Sequence, residues 1–100
     1  MPDRFEKIRN KYIKTFVEKQ NEIKTAWDNK DIAHVHDLMH KLTGSSGGYG
    51  FDELYELTQQ GMLLTTNNQV SNLVEMQQCL KKIYSTLQEN YDSIFIDEKI

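Results

Sequence analysis

Met39-His40-Lys41-Leu42-Thr43-Gly44-Ser45-Ser46-Gly47-Gly48-Tyr49-Gly50 sets a histidine on a helical segment and closes that segment with small residues and glycines. Glycine weakens a helix interior by about 1 kcal/mol relative to alanine, so Gly44, one turn after His40, needs a reason. Close approach is one: a side chain at 44 would block whatever comes up to His40. Upstream, Ile32, Val35, Met39 and Leu42, flanked by Leu38, form one apolar stripe at three- and four-residue steps. The stripe predicts a helix over residues 31–46, with Asp31 as its N-cap. At 100° per residue, His40 lies about 130° from the middle of the stripe and so faces outward. Ala33, His36, Asp37 and Gly44 share its side, Thr43 lies to the flank, and Lys41 sits on the other side of the exposed arc. The run Gly47-Gly48-Tyr49-Gly50 ends the helix, because glycine supplies the left-handed backbone of C-caps.

Outward from this segment the chain stays helical. Residues 3–28 read as one long helix, opened by the capping-box pair Asp3 and Glu6. Phe5, Ile8, Tyr12 and Phe16, with Ile13, Val17, Ile23 and Trp27, recur at helical spacing. The polar run 4–11 predicts a break or bend near the first turns. Asp28-Asn29-Lys30 is a connector. A third helix starts at Phe51 or Asp52 and runs to about Leu64, with Leu54, Tyr55 and Leu57 as its apolar residues. Thr65-Thr66-Asn67-Asn68 reads as a turn. A fourth helix is expected over residues 69–91, with Val70, Leu73, Leu80, Tyr84, Leu87 and Tyr91 in one stripe and Val74, Met76 and Ile83 alongside. The tail, 92–100, mixes Ile94, Phe95 and Ile96 with acidic residues; docking on the body and a short helical extension both stay open.

Composition narrows the class. One hundred residues make one domain the natural count, with its core over about 3–91. No apolar run approaches the roughly 20 residues of a spanning helix. The polar start Met1-Pro2-Asp3-Arg4 lacks a signal-peptide apolar region. The single cysteine, Cys79, has no internal disulfide partner, lies among polar neighbours, and is assigned no redox role. These features point to a cytoplasmic protein. A net charge of −3 with scattered basic residues argues against nucleic acid. With no strand signal and no proline beyond position 2, long helices on short polar links predict an all-α, up-and-down four-helix bundle, with an extra short helical segment possible at either end.

The His40 segment resembles the histidine-containing phosphotransfer (HPt) domain family. That pattern has a leucine two after the histidine, a lysine three after, a glycine four after, then small residues and a glycine ten after. Here these positions hold Leu42, Thr43, Gly44, Ser45 and Ser46, and Gly50, with Leu54 and Leu57 fitting the next helix. The resemblance covers most of the chain. It implies a phosphocarrier in a two-component phosphorelay, not an independent enzyme. His40 would accept a phosphoryl group, on Nε2, from a receiver-domain aspartate and pass it to another receiver. Response-regulator receiver domains and hybrid histidine kinases are the implied partners, and Mg²⁺ is expected on the receiver, with no cofactor here. An imidazole near neutral pH is a good nucleophile, which fits this role. Gly44 would make room for docking, with Ala33, His36, Asp37, Leu38 and Ser45 around it. Lys41 and Thr43 would support the histidine. Lys41, Lys81 or Lys82 could meet the phosphoryl oxygens. Two positions depart from the pattern. The usual lysine is Thr43, with Lys41 beside the histidine instead. The position often holding Glu or Gln on the next helix is Met62, with Gln59 and Gln60 a turn or less before it.

Other classes compete. A helical adaptor that binds a receiver or kinase without being phosphorylated would use the same surface, and Thr43 keeps that reading open. His36 and His40, four apart, could share a metal ion, but the further ligands such a site needs are lacking, so no metal is assigned. The glycine run is not a phosphate-cradling loop, since no strand precedes it and the Gly-Lys-Ser/Thr ending is missing.

Overall fold

Thr15 divides what the apolar repeat predicts as one helix into two. The computed structural model describes residues 3–99, with side chains over residues 4–95. Helix α1 spans Asp3–Lys14 and α2 spans Phe16–Asp28. The Thr15 hydroxyl donates to the Tyr12 carbonyl at 2.6 Å, and the Thr15 backbone N–H bonds the same carbonyl at 3.0 Å. A threonine that bonds its own preceding turn competes with the regular ladder and bends a helix. The break therefore lies at Thr15, not in the polar first turns. The expected capping box falls on Asp3, outside the described side chains.

Helix α3, Ile32–Gly48, begins as its sequence predicts: the Asp31 carboxylate accepts from the His34 N–H at 3.2 Å. It ends later. Gly47 and Gly48 keep helical geometry, and the chain turns only at Tyr49 and Gly50, where Gly50 has φ +79°. Helix α4 is Asp52–Leu64. A short 3₁₀ turn, Thr66–Asn68, comes next, with Asn67 and Asn68 both at φ 60°. The last helix, α5, runs from Leu73 to Lys99. Asn72 caps it, accepting from the Glu75 N–H at 3.0 Å. Thus Gln69 and Val70 lie in the connector rather than in the helix, although Val70 still packs on the core. The tail is not separate: α5 continues through it and buries Ile94.

Helices α2, α3, α4 and α5 pack in a ring, each touching the next, with α1 laid along α5. At about 1.5 Å per residue, the 27 residues of α5 nearly span the longest dimension of 44 Å. The core holds Phe16, Ile23, Val35, Met39, Leu54, Met76, Ile83 and Leu87. Aromatic rings close the end near Gly50: Tyr12 stacks on Tyr49 at 4.4 Å, and Phe16 meets Tyr12 and Phe51 edge-on. Cys79 is buried in this core and donates to the Leu57 carbonyl at 3.1 Å. It lies at helical spacing between the buried Met76 and Ile83, and burial pushes its thiol pKa up. Phe5 and Ile8, expected in the core from their spacing, are 57% and 48% exposed. Leu73 and Val74 are exposed at the start of α5.

Tyr84 is half-buried against the Lys24 ammonium, 5.0 Å from its ring, and its hydroxyl has no hydrogen-bond partner among the described residues. Burial, helped by Asp28, pushes its pKa up to about 12. A raised pKa means that the folded state holds the proton after the unfolded chain has released it. Stability therefore falls as pH rises from about 10 towards 12. Tyr84→Phe should be neutral or slightly stabilising at pH 7, since it removes an unpaired hydroxyl. It should also flatten the alkaline fall. Some fall should remain, because burial also raises the Tyr12 phenol. Urea denaturation at pH 7 and pH 11 checks both signs; an unchanged slope with pH would count against the burial argument.

Candidate functional site

The exposed face of α3 is built by what its other face must bury. Val35, Leu38, Met39 and Leu42 are turned inward, and the 3.6-residue repeat then turns His40, Ala33, Asp37 and Gly44 to solvent. A Cβ built on Gly44 meets nothing within 4 Å. His40 therefore stands on a rigid helix beside open space. Rigidity comes from the α3–α4 contact, the most extensive in the molecule. Gly61 lets the two helices close up: a Cβ there would lie 3.0 Å from Met39 Sδ. Ser46 is fully buried, and its carbonyl accepts from the Phe51 N–H at 2.9 Å.

The flanks of His40 differ. Towards α2, Lys41 pairs with Asp37 at 3.1 Å; both are more than half exposed, so the pair adds little stability. Towards α4, the Thr43 hydroxyl lies 2.8 Å from the Met39 carbonyl, 2.9 Å from Thr58 Oγ1 and 3.5 Å from Met62 Sδ. Thr58 is buried and donates to the Leu54 carbonyl at 2.8 Å. Thr43 thus ties α3 to α4 and is not free to meet a group bound at His40. Ser45 is tied as well: its hydroxyl bonds the Tyr12 phenol, and it reaches the Lys41 carbonyl at 3.1 Å.

Of the expected docking residues, Ala33, Asp37 and Gly44 are exposed around His40 and His36 is half-buried beside it. Leu38 is not on that face. It is buried, and with Tyr12, Ile23 and Leu42 it lines a groove of about 280 Å³ between α2 and α3, whose charged lining is Lys19, Glu22 and Lys41. Gln59 is exposed on α4; Thr58 and Met62 are the α4 side chains that meet Thr43 on the His40 flank. Lys81 and Lys82 line a different groove, between α4 and α5, with Glu53 and Glu89. That removes them as partners for His40. One contact has no signal in the sequence: His36 Nδ1 is 2.9 Å from Thr65 Oγ1, across 29 residues of chain.

Among the described residues, no group of three or more His, Cys, Asp or Glu side chains could hold a metal. No described helix is long and apolar enough to cross a membrane. Comparison with curated proteins and with solved structures returned no match. The family model described as Hpt domain matches residues 7–90, which takes in all of the bundle ring except the end of α5. The chain belongs to the Hpt domain family, the phosphotransfer modules that work with receiver domains and histidine kinases in two-component signalling.

Proposed function

We propose that His40 accepts a phosphoryl group from the aspartyl phosphate of a receiver domain and passes it to the aspartate of another. The observation that supports this most is the exposed His40 beside Gly44, where a Cβ meets nothing within 4 Å. The His40 Nε2 lone pair attacks phosphorus, the bond from phosphorus to the donor's carboxylate oxygen breaks, and the carboxylate leaves with the electron pair. Return to a second receiver is the same step reversed. The receiver supplies Mg²⁺, which neutralises charge on the phosphoryl oxygens. This chain supplies a nucleophile held on a stiff helix and a face with room for the partner. Nothing in this reading requires it to bind ATP. A cytoplasmic setting belongs to the same reading, because a receiver must reach His40.

The test is transfer of label from a phosphorylated receiver to this protein. The label should be lost in acid, survive in base, and be absent from His40→Gln. Several competent receivers that bind the chain but leave no label on it would overturn the carrier reading and favour an unphosphorylated adaptor.

A further inference from the structure

His36 precedes His40 by four residues, so the two imidazoles are neighbours on one face of α3. Thr65 settles which nitrogen of His36 carries the proton. Its hydroxyl is fully buried and gives its one proton to the Gly61 carbonyl at 2.8 Å. The Met62 carbonyl lies within reach of the same proton at 3.3 Å; with that proton on a carbonyl the hydroxyl accepts, and we infer that the His36 nitrogen facing it at 2.9 Å is Nδ1–H. In the neutral ring Nε2, on the far edge, is then bare. The ring is held in one orientation and keeps one free site for a proton.

The surroundings give that free site a use. A phosphoryl group on His40 brings two negative charges to this face. On the α4 side nothing charged is present to meet them: from Leu57 to Val74, through the second half of α4, the 3₁₀ turn and the connector, there is no Asp, Glu, Lys, Arg or His. Thr43 is uncharged and bonded inward. On α3 itself the charges are the Asp37–Lys41 pair, neutral in sum and on the α2 flank, and the Asp31–His34 contact at the helix start. His36 is the titratable group on the α4 side of His40.

We propose that His36 is an inducible counter-ion for the phosphorylated site: when His40 gains a phosphoryl group, His36 takes up a proton from water on Nε2 and its imidazolium faces the phosphoryl oxygens. The inference rests on His40 being the acceptor. The bonds to phosphorus change as in the carrier step; the only addition is one proton from solvent, while Nδ1–H stays on Thr65. Two negative charges one turn away in an exposed setting move a titration midpoint by roughly half to one pH unit. Holding the phosphoryl group is therefore coupled to proton uptake at His36, and the advantage of the wild type over His36→Gln is larger at pH 6.5 than at pH 8.5. His36 is a positioning and charge-balancing residue, acting on the group after it arrives.

Phosphoramidate, a small donor that needs no receiver, provides the test. Imidazole resonances of the full chain are followed by NMR through a pH titration, with and without phosphate on His40, and His36→Gln assigns the signals. The His36 midpoint should rise on phosphorylation. Nitrogen shifts should report Nδ1–H in the wild type and a mixture of tautomers in Thr65→Val. In equilibrium with a phosphorylated receiver, His36→Gln should lower occupancy of His40 about two- to fivefold at pH 6.5 and hardly at all at pH 8.5. Phosphohistidine at 40 with an unmoved His36 midpoint overturns this proposal alone. No phosphohistidine at 40 overturns it together with the acceptor reading.

Discussion

Glutamine in place of Gly44 raises the stability of this protein and cuts phosphoryl transfer at least tenfold. The two effects have opposite signs because they have different origins. A Cβ at 44 meets nothing within 4 Å, so the folded chain accommodates a side chain there without strain. Replacing glycine in a helix interior by a good helix former is worth roughly 0.5–1 kcal/mol. For a domain of this size that is a rise of about 3–6 °C in Tm. A receiver aspartate, however, must bring phosphorus to within bonding distance of His40, and the side chain at 44 occupies that approach. A tenfold loss corresponds to about 1.4 kcal/mol, a modest demand for a side chain held against a docking partner. Gly44→Ala should gain at least as much stability as Gly44→Gln, since alanine is the better helix former, with a smaller loss of transfer. Thermal unfolding and transfer from a labelled receiver, measured on the same three proteins, decide the matter. If transfer by Gly44→Gln matches the wild type, the glycine does not serve docking.

Phe16→Ala should destabilise the fold by about 3–5 kcal/mol. Phe16 is fully buried, and its ring meets Tyr12 at 5.1 Å and Phe51 at 5.6 Å. It sits where α1 gives way to α2, and it closes the end of the core beneath the α3–α4 turn. Little can collapse into the space that it leaves, because Thr15 and Tyr12 are held by their own hydrogen bonds. Domains of this kind are stable by about 5–15 kcal/mol in total, so the loss consumes a large part of the margin and lowers Tm by more than about 10 °C. Phe5→Ala is the matched control. Phe5 lies on the same helical stripe but is 57% exposed, and its loss should change stability by no more than about 0.5 kcal/mol. Chemical denaturation of both variants measures where the core ends. Equal losses would mean that Phe5 is covered in solution.

The helices and the outward His40 were legible in the residues because both depend on local geometry. Ile32, Val35, Met39 and Leu42 repeat at helical spacing, Asp31 caps the helix they form, and a fixed rotation per residue then turns His40 and Gly44 to solvent whatever the rest of the chain does. Elements joined by short polar links have few ways to bury such stripes other than as a bundle. What remained hidden depended on distant parts of the chain. Phe5 and Tyr12 share a stripe, yet Tyr12 is buried against Tyr49 and Phe51 while Phe5 is 57% exposed. Cys79 follows Gln77 and Gln78 along the chain, but it is buried and its thiol meets the Leu57 carbonyl of another helix. Thr43 is available to the site by its place on the helix alone, but Thr58 holds it against α4. His36 is met by Thr65, 29 residues away and itself held to Gly61. Periodicity reports which way a residue faces, whereas contacts between helices decide what it meets there, and at this site that second question sets the charge around His40.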